Sequence, residues 1–320
     1  MSRRLCWALS ALALLSLPAC ASDFEPASQV SRPRLVAARV DVLGATDARS
    51  APVPGERIEI APMVVQPLIP GTISAAFVVC AIAPARAGAP SCGGAPLAIV
   101  GPTEPGEALG SFTVDVPAGP PTPLVLVGAT CTDGGVATID PSSARASCSN
   151  EGGRADGVVL VIPVAPSVEL ANRHPSIDDQ AYLLGDAEWA PPPARIPESA
   201  CASVAGTLDF PLVSRGPGED VSLTLRFDAA EDDRERYLAS DGSEVREALQ
   251  YSHFVTAGVL ERQFSAIEGL EDGAQPAEID WTFPALDELP EDGLPVRFWW
   301  VVRDLRGGTA IAERVLCAVP

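Results

Sequence analysis

Proline interrupts this chain about once every ten residues, with 32 prolines and 27 glycines among 320 residues. Pro has no N–H to give to a helix interior or a central strand, and its ring clashes with the preceding helical turn. That density excludes long helices and favours short strands joined by many turns. Apolar runs of strand length do lie between the breaks, at 57–60, 75–82, 96–100, 111–116, 124–130 and 158–164. The second half continues with 207–211, 221–227, 251–256, 278–283, 296–304 and 310–319. Runs of this kind, bounded by turn residues, read as strands of an all-β sandwich or barrel. Asp133-Gly134, Asp156-Gly157, Asp241-Gly242, Asp272-Gly273, Asp292-Gly293 and Gly307-Gly308 supply tight-turn dipeptides. One short helix is expected between Glu231 and Leu249, where Leu, Ala, Glu and Arg concentrate.

The length accommodates two domains, each large enough to bury a core. Every basic residue is Arg, and 42 acids against 22 bases leave a formal charge of −20. A chain so poor in cations has little with which to displace counterions from a phosphate backbone, which argues against nucleic-acid binding. Adhesion to an anionic lipid surface is disfavoured for the same reason. The charge is uneven, −5 over 21–165 and −17 over 166–320, and this asymmetry supports a boundary near the middle.

At the N-terminus, Arg3 and Arg4 precede an apolar run from Leu5 to Leu17, and Leu17-Pro18-Ala19-Cys20 follows. This is the layout of a secretory signal, with an apolar run of 13 residues that is short for a bilayer span. The Leu-Pro-Ala-Cys ending resembles the bacterial lipoprotein signal, which implies cleavage before Cys20 and acylation of its thiol, palmitate included. Ala21 stands where Asp would have resembled an inner-membrane retention signal, so the outer membrane is the expected location. An ordinary cleaved signal is the alternative. With Cys6 removed and Cys20 lipidated, Cys80, Cys92, Cys131, Cys148, Cys201 and Cys317 form an even set in an oxidising compartment. Six cysteines allow about fifteen connectivities. Spacing favours Cys80–Cys92, Cys131–Cys148 and Cys201–Cys317; Cys80–Cys131 across one sandwich is the rival.

Pro33-Arg34-Leu35 and Pro54-Gly55-Glu56 resemble the opening of uncharacterised bacterial lipoproteins with immunoglobulin-like domains. Asn172-Arg173-His174-Pro175, Trp281-Thr282-Phe283-Pro284 and the run Val301 to Gly308 resemble the linker and closing strands of PKD-like modules in that group. The resemblance implies two immunoglobulin-like antiparallel β-sandwiches in tandem after a cleaved lipoprotein signal. The expected organisation is a signal peptide over 1–19, an anchor and tether over 20–32, a first sandwich over 33–166, a linker over 167–176 and an acidic second sandwich over 177–320. Leu305 departs from the pattern, standing where a small turn residue is commoner.

Chemistry-bearing patterns are sparse. The chain has two histidines, His174 in the linker and His253 in a strand-like run, and no Gly-x-Ser-x-Gly. A serine hydrolase is therefore not expected. Acid pairs at Asp178-Asp179, Glu231-Asp232-Asp233, Glu271-Asp272, Asp287-Glu288 and Glu291-Asp292 read as solvated loop charges. Calcium at Asp178, Asp179 or Asp186 is a secondary possibility; no metal-ligand cluster and no phosphate-binding glycine motif suggest a cofactor. Arg303, Asp304 and Arg306 form a charge cluster at a hairpin, either self-paired or anion-binding. Phe298, Trp299 and Trp300 are consecutive, so Trp299 points opposite to its neighbours in a strand. Packing in the core or between domains is the simpler role, and an uncovered face would be a partner or glycan surface. The sequence thus leads to a non-catalytic envelope lipoprotein with a structural, adhesion or scaffold role and an unknown protein or glycan partner. The alternative is a carbohydrate-binding or glycan-hydrolysing protein that uses the acidic C-terminal domain, through converging carboxylates of raised pKa.

Overall fold

The computed structural model describes residues 26–67, 69–83, 90–140, 145–149, 154–177, 181–208, 210–214, 222–230, 234–239, 242–269 and 275–320. Strands dominate. In the first half these are β1 (Arg34–Val42), β2 (Arg57–Val65), β3 (Ser74–Ala81), β4 (Ala98–Val100), β5 (Phe112–Asp115), β6 (Leu124–Cys131), β7 (Ala137–Asp140), β8 (Arg145–Cys148) and β9 (Ala155–Ile162). They build a sheet of order β1-β2-β5 and another of order β4-β3-β6-β9, both antiparallel, with β7–β8 as a separate hairpin. The alternation of each strand sends one set of side chains between the sheets. Val40, Ile58, Ile60 and Val114 from one sheet meet Phe77, Val79, Leu124 and Leu126 from the other.

The second half contains β10 (Ala181–Leu184), β11 (Ala187–Glu188), a short helix α1 (Ala205–Leu208), β12 (Leu212–Ser214), β13 (Ser222–Ala229), β14 (Arg236–Leu238), β15 (Glu244–Arg246), β16 (Leu249–Val255), β17 (Val259–Leu260), β18 (Phe264–Ile267), β19 (Gln275–Thr282), β20 (Leu294–Arg303) and β21 (Thr309–Val319). Two five-stranded sheets of order β11-β10-β13-β19-β17 and β12-β21-β20-β16-β18 enclose the larger core. Its centre is aromatic. Trp189 meets Phe298 and Trp300 edge-on at 5.1 and 5.7 Å, and Phe227 stacks on Tyr251 at 4.6 Å. The buried indoles are satisfied, with Trp189 Nε1 donating to the Val315 carbonyl at 2.9 Å and Trp281 Nε1 to that of Ala257 at 3.0 Å.

The three disulfides pair as spacing favours, with Cα separations of 5.5 Å for Cys80–Cys92, 5.8 Å for Cys131–Cys148 and 5.7 Å for Cys201–Cys317. Cys201 sits in a 3-10 turn just before α1, and Cys317 lies on the last strand. Three local expectations are corrected. The helix expected between Glu231 and Leu249 gives way to the β14–β15 hairpin, where Tyr237 lies opposite Val245. The strand expected at 207–211 is entered by α1 instead, because Ala205 packs with Cys201 and Cys317 in a small satellite core. Asp156-Gly157 is no turn: both residues lie inside β9, opposite Thr130 and Ala129. Asp133-Gly134 does turn the chain, with φ of 58° and 79°. Asp272-Gly273 falls outside the described residues, as do Asp241 and the acids 231–233 and 271.

Candidate functional site: the seam between the sandwiches

Residues 172–175 are held extended by Pro175 and by backbone bonds to the loop after β1. Ser50 N donates to the Asn172 carbonyl at 2.9 Å, and His174 N donates to that of Ala48 at 2.8 Å. From this position the linker meets the β20–β21 hairpin more than 130 residues later. Asp304, 2% exposed, organises that hairpin. Its Oδ1 accepts from the backbone N of Arg306 at 2.7 Å and of Gly308 at 2.9 Å, and its Oδ2 accepts from Asn172 Nδ2 at 2.7 Å. The same Asn172 amide reaches Ser50 Oγ at 2.9 Å, so one side chain ties both sandwiches together. Gly308 is required here, since a Cβ would strike the Asp304 carboxylate and lie 2.6 Å from the Arg173 carbonyl.

His174 completes the joint. The Thr309 backbone N–H donates to Nδ1 at 3.0 Å, which fixes Nδ1 as the unprotonated nitrogen and leaves Nε2–H to donate to the Val40 carbonyl at 2.9 Å. Burial, helped by Arg39 and opposed by Asp41, holds its pKa below the usual histidine range, in keeping with a neutral ring.

Beside the joint lies a cavity of about 380 Å³ lined by Arg306, Glu235, Tyr237, Leu238 and Leu170, among others. Arg306 is fully engaged at its mouth. Nη1 donates to Glu235 Oε2 at 3.1 Å and to Glu247 Oε1 at 2.8 Å, and the guanidinium lies 3.9 Å from the centre of the Tyr237 ring. Glu247 is 2% exposed, and burial, reinforced by Asp304 and Glu235 and opposed by Arg306, pushes its carboxyl up to about 8. A carboxyl that keeps its proton at neutral pH is the signature of a general acid. Here Arg306 stands between it and the cavity, and Glu247 is not part of the cavity wall.

The remaining expected sites resolve as follows. Arg303, Asp304 and Arg306 do not pair with one another: Asp304 binds backbone and Asn172, Arg306 binds glutamates, and Arg303 donates to Ser252 Oγ at 2.9 Å and the Val36 carbonyl at 2.7 Å. Phe298, Trp299 and Trp300 are all buried, as the packing role requires, and the possible partner surface there is not exposed. Phe298 and Trp300 enter the second core, while Trp299 points the other way and is covered by Val30, Val36 and Val65 from the N-terminal half of the chain. Burying an indole between the sandwiches removes a large apolar area from water. His253 bonds Ser265 Oγ at 2.8 Å, but burial, aided by Arg262, lowers its pKa to about 3, and among the described residues no carboxylate bonds the ring. It is a poor base at neutral pH. Asp186 sits in the β10–β11 turn, and Cys20, Asp178 and Asp179 lie outside the described residues.

Among the described residues no group of three or more His, Cys, Asp or Glu could hold a metal, and no helix is long and apolar enough to cross a membrane. Glu235, Tyr237 and Glu247 went unnoticed in the sequence, because a charged stretch rich in helix formers hides a hairpin. The tie between Asn172 and Asp304 joins two motifs that are each visible but carry no mark of mutual contact. Neither the known family models nor the curated proteins searched contain a match to this chain.

Proposed function

We propose that the protein is a non-catalytic envelope lipoprotein, anchored in the outer membrane through Cys20, whose two immunoglobulin-like sandwiches form one rigid protein-interaction or scaffold unit. The observation that carries this reading is the seam itself. Asn172, His174 and Asp304 are consumed in joining the sandwiches, and Arg306 is held by glutamates of the second one. The strand orders support the immunoglobulin-like assignment. Taking β1, β2 and β5 as strands A, B and E leaves β4-β3-β6-β9 as C′-C-F-G, and in the second half β10-β13-β19-β17 follows A-B-E-D against β21-β20-β16 as G-F-C. The seam suits a spacer that must hold a binding surface at a set distance from lipid.

One observation favours the second reading, a glycan-directed protein: Glu235 and Glu247 converge on Arg306 beside a cavity, and Glu247 has the raised pKa of a proton donor. Hydrolysis would require Glu247 to reach substrate past Arg306. The test is crosslinking in native membranes with mass spectrometry, comparing wild type with Cys20→Ala. The proposal expects diacylated or triacylated Cys20 and an envelope protein captured only by the anchored form. An unmodified Cys20, or glycan turnover lost in Glu247→Gln, would overturn it.

A further inference from the structure

The two sandwiches treat their last strands differently. In the second, the C-terminal end of β21 is covered by the chain's own β12, with Leu212–Ser214 running parallel to Cys317–Val319. In the first, β9 ends its sheet and, among the described residues, has β6 as its only strand partner. An open edge offers a row of backbone donors and acceptors, and proteins ordinarily blunt such edges with charge, Pro or a covering segment. From Val158 to Ile162, β9 has neither charge nor Pro. Val159 and Val161 are 48% and 39% exposed beside that edge.

The edge opens on a groove of about 230 Å³. Its walls are residues 157–160 of β9, residues 35–38 of β1, and Arg303 and Thr309 of the second sandwich. With β1 on one side and Arg303 and Thr309 of the second half on the other, the groove beside β9 is confined, and a single extended strand is a smaller guest than another folded domain. The groove also holds an unbalanced charge. Arg303 is bonded to two neutral oxygens, Ser252 Oγ and the Val36 carbonyl, and to no carboxylate among the described residues. A guanidinium carries about five N–H donors, and burial alone lowers its pKa here. Arg34 and Arg314 are also met by backbone carbonyls, but of the three Arg303 alone lines this groove. Its natural complement is an anion with two oxygens.

We propose that this groove binds an extended, aliphatic peptide strand that adds to the free edge of β9 and places its C-terminal carboxylate on Arg303. Backbone pairing supplies affinity, the alternate side chains of the guest pack beside Val158 and Leu160, and the carboxylate sets the register. The inference rests on the interaction-module reading and gives that module its site.

The test uses residues 21–320, the chain without its acylated Cys20, and fluorescein-labelled Gly-Val-Thr-Val-Thr-Val, either with a free C-terminal carboxylate or as the amide, read by fluorescence anisotropy. The carboxylate peptide is expected to bind saturably and the amide at least about tenfold more weakly, the loss of one charge-assisted contact. Replacing the central Val of the peptide with Pro, which removes a backbone donor, should weaken binding similarly. Arg303→Met should bring the carboxylate peptide down to the level of the amide while leaving the amide unchanged. If that variant unfolds, the comparison of carboxylate and amide on wild type decides alone. No saturable binding up to about 1 mM, or equal binding of the two peptides, overturns the proposal. Crosslinks to an envelope protein that map away from β9, with no peptide binding, overturn this site while leaving the module reading in place.

Discussion

His174, His253 and Glu247 give stability a pH profile with a defined sign. The two histidines are held neutral by burial, so their folded pKa values lie below the unfolded value of about 6.5. The unfolded chain therefore takes up protons first, and stability present above pH 6.5 is lost as pH falls, for His253 down to about 3. Glu247 acts in the opposite sense. Its folded pKa of about 8 exceeds the reference value of 4.5, so the folded state holds the extra proton and stability falls as pH rises between those values. Together they predict greatest stability at mildly acidic pH, between about 5 and 6.5, with a slope near 1.4 kcal/mol per pH unit above that range. Urea melts from pH 4 to 9 check this, and Glu247→Gln should flatten the alkaline limb. At Leu305 the reading is simpler. It is 69% exposed with φ of 62°, a left-handed conformation that costs a branched residue about 1 kcal/mol and glycine little. Leu305→Gly should raise the melting temperature by roughly 2 °C; an unchanged or lower value would show that the hairpin is not strained there.

Among the elements, those with long, continuous apolar runs and sharp borders are the readable ones. The strands β3, β6, β20 and β21 fall within one or two residues of their apolar runs, because each is long and largely buried. The opposite orientation of Trp299 was readable for the same reason, since strand periodicity admits no other. Its cover was not: Val30, Val36 and Val65 lie far away in sequence, and nothing in their local pattern points to an indole. The edge element β1 is not among the expected strands, because its pattern mixes Arg and Asp with valines. The β14–β15 hairpin was misread because Glu, Arg, Leu and Ala favour helix locally, and tertiary pairing overrode that preference. In the candidate site, Asn172, His174 and Asp304 stood out as residues, but their partnership is a product of the folded chain. The disulfides belong to this scale too. Cys201–Cys317 spans 116 residues and ties the start of the second sandwich to its last strand. Its loss through Cys201→Ser with Cys317→Ser should cost about 4–5 kcal/mol in the loop-entropy view, more than removing either short-loop pair. Guanidinium unfolding of the three double variants checks the order.

At the level of the whole molecule, the seam makes a strong claim. Two sandwiches joined by a bare tether would melt and move independently, which is the default for domains with small interfaces. Here Asn172 bonds both sandwiches, His174 bridges Val40 and Thr309, Arg303 reaches Val36, and Trp299 is buried between the halves. Removing the Asn172 amide leaves the buried Asp304 Oδ2 without that donor, a loss of about 1–3 kcal/mol. The measurement that tests this most directly is differential scanning calorimetry of residues 21–320, with disulfides intact, beside Asn172→Ala. The account predicts one cooperative transition for wild type, with calorimetric and van't Hoff enthalpies in agreement, and separation into two transitions in the variant. Two transitions already present in the wild-type chain would contradict a locked seam and with it the rigid unit on which the proposed function rests.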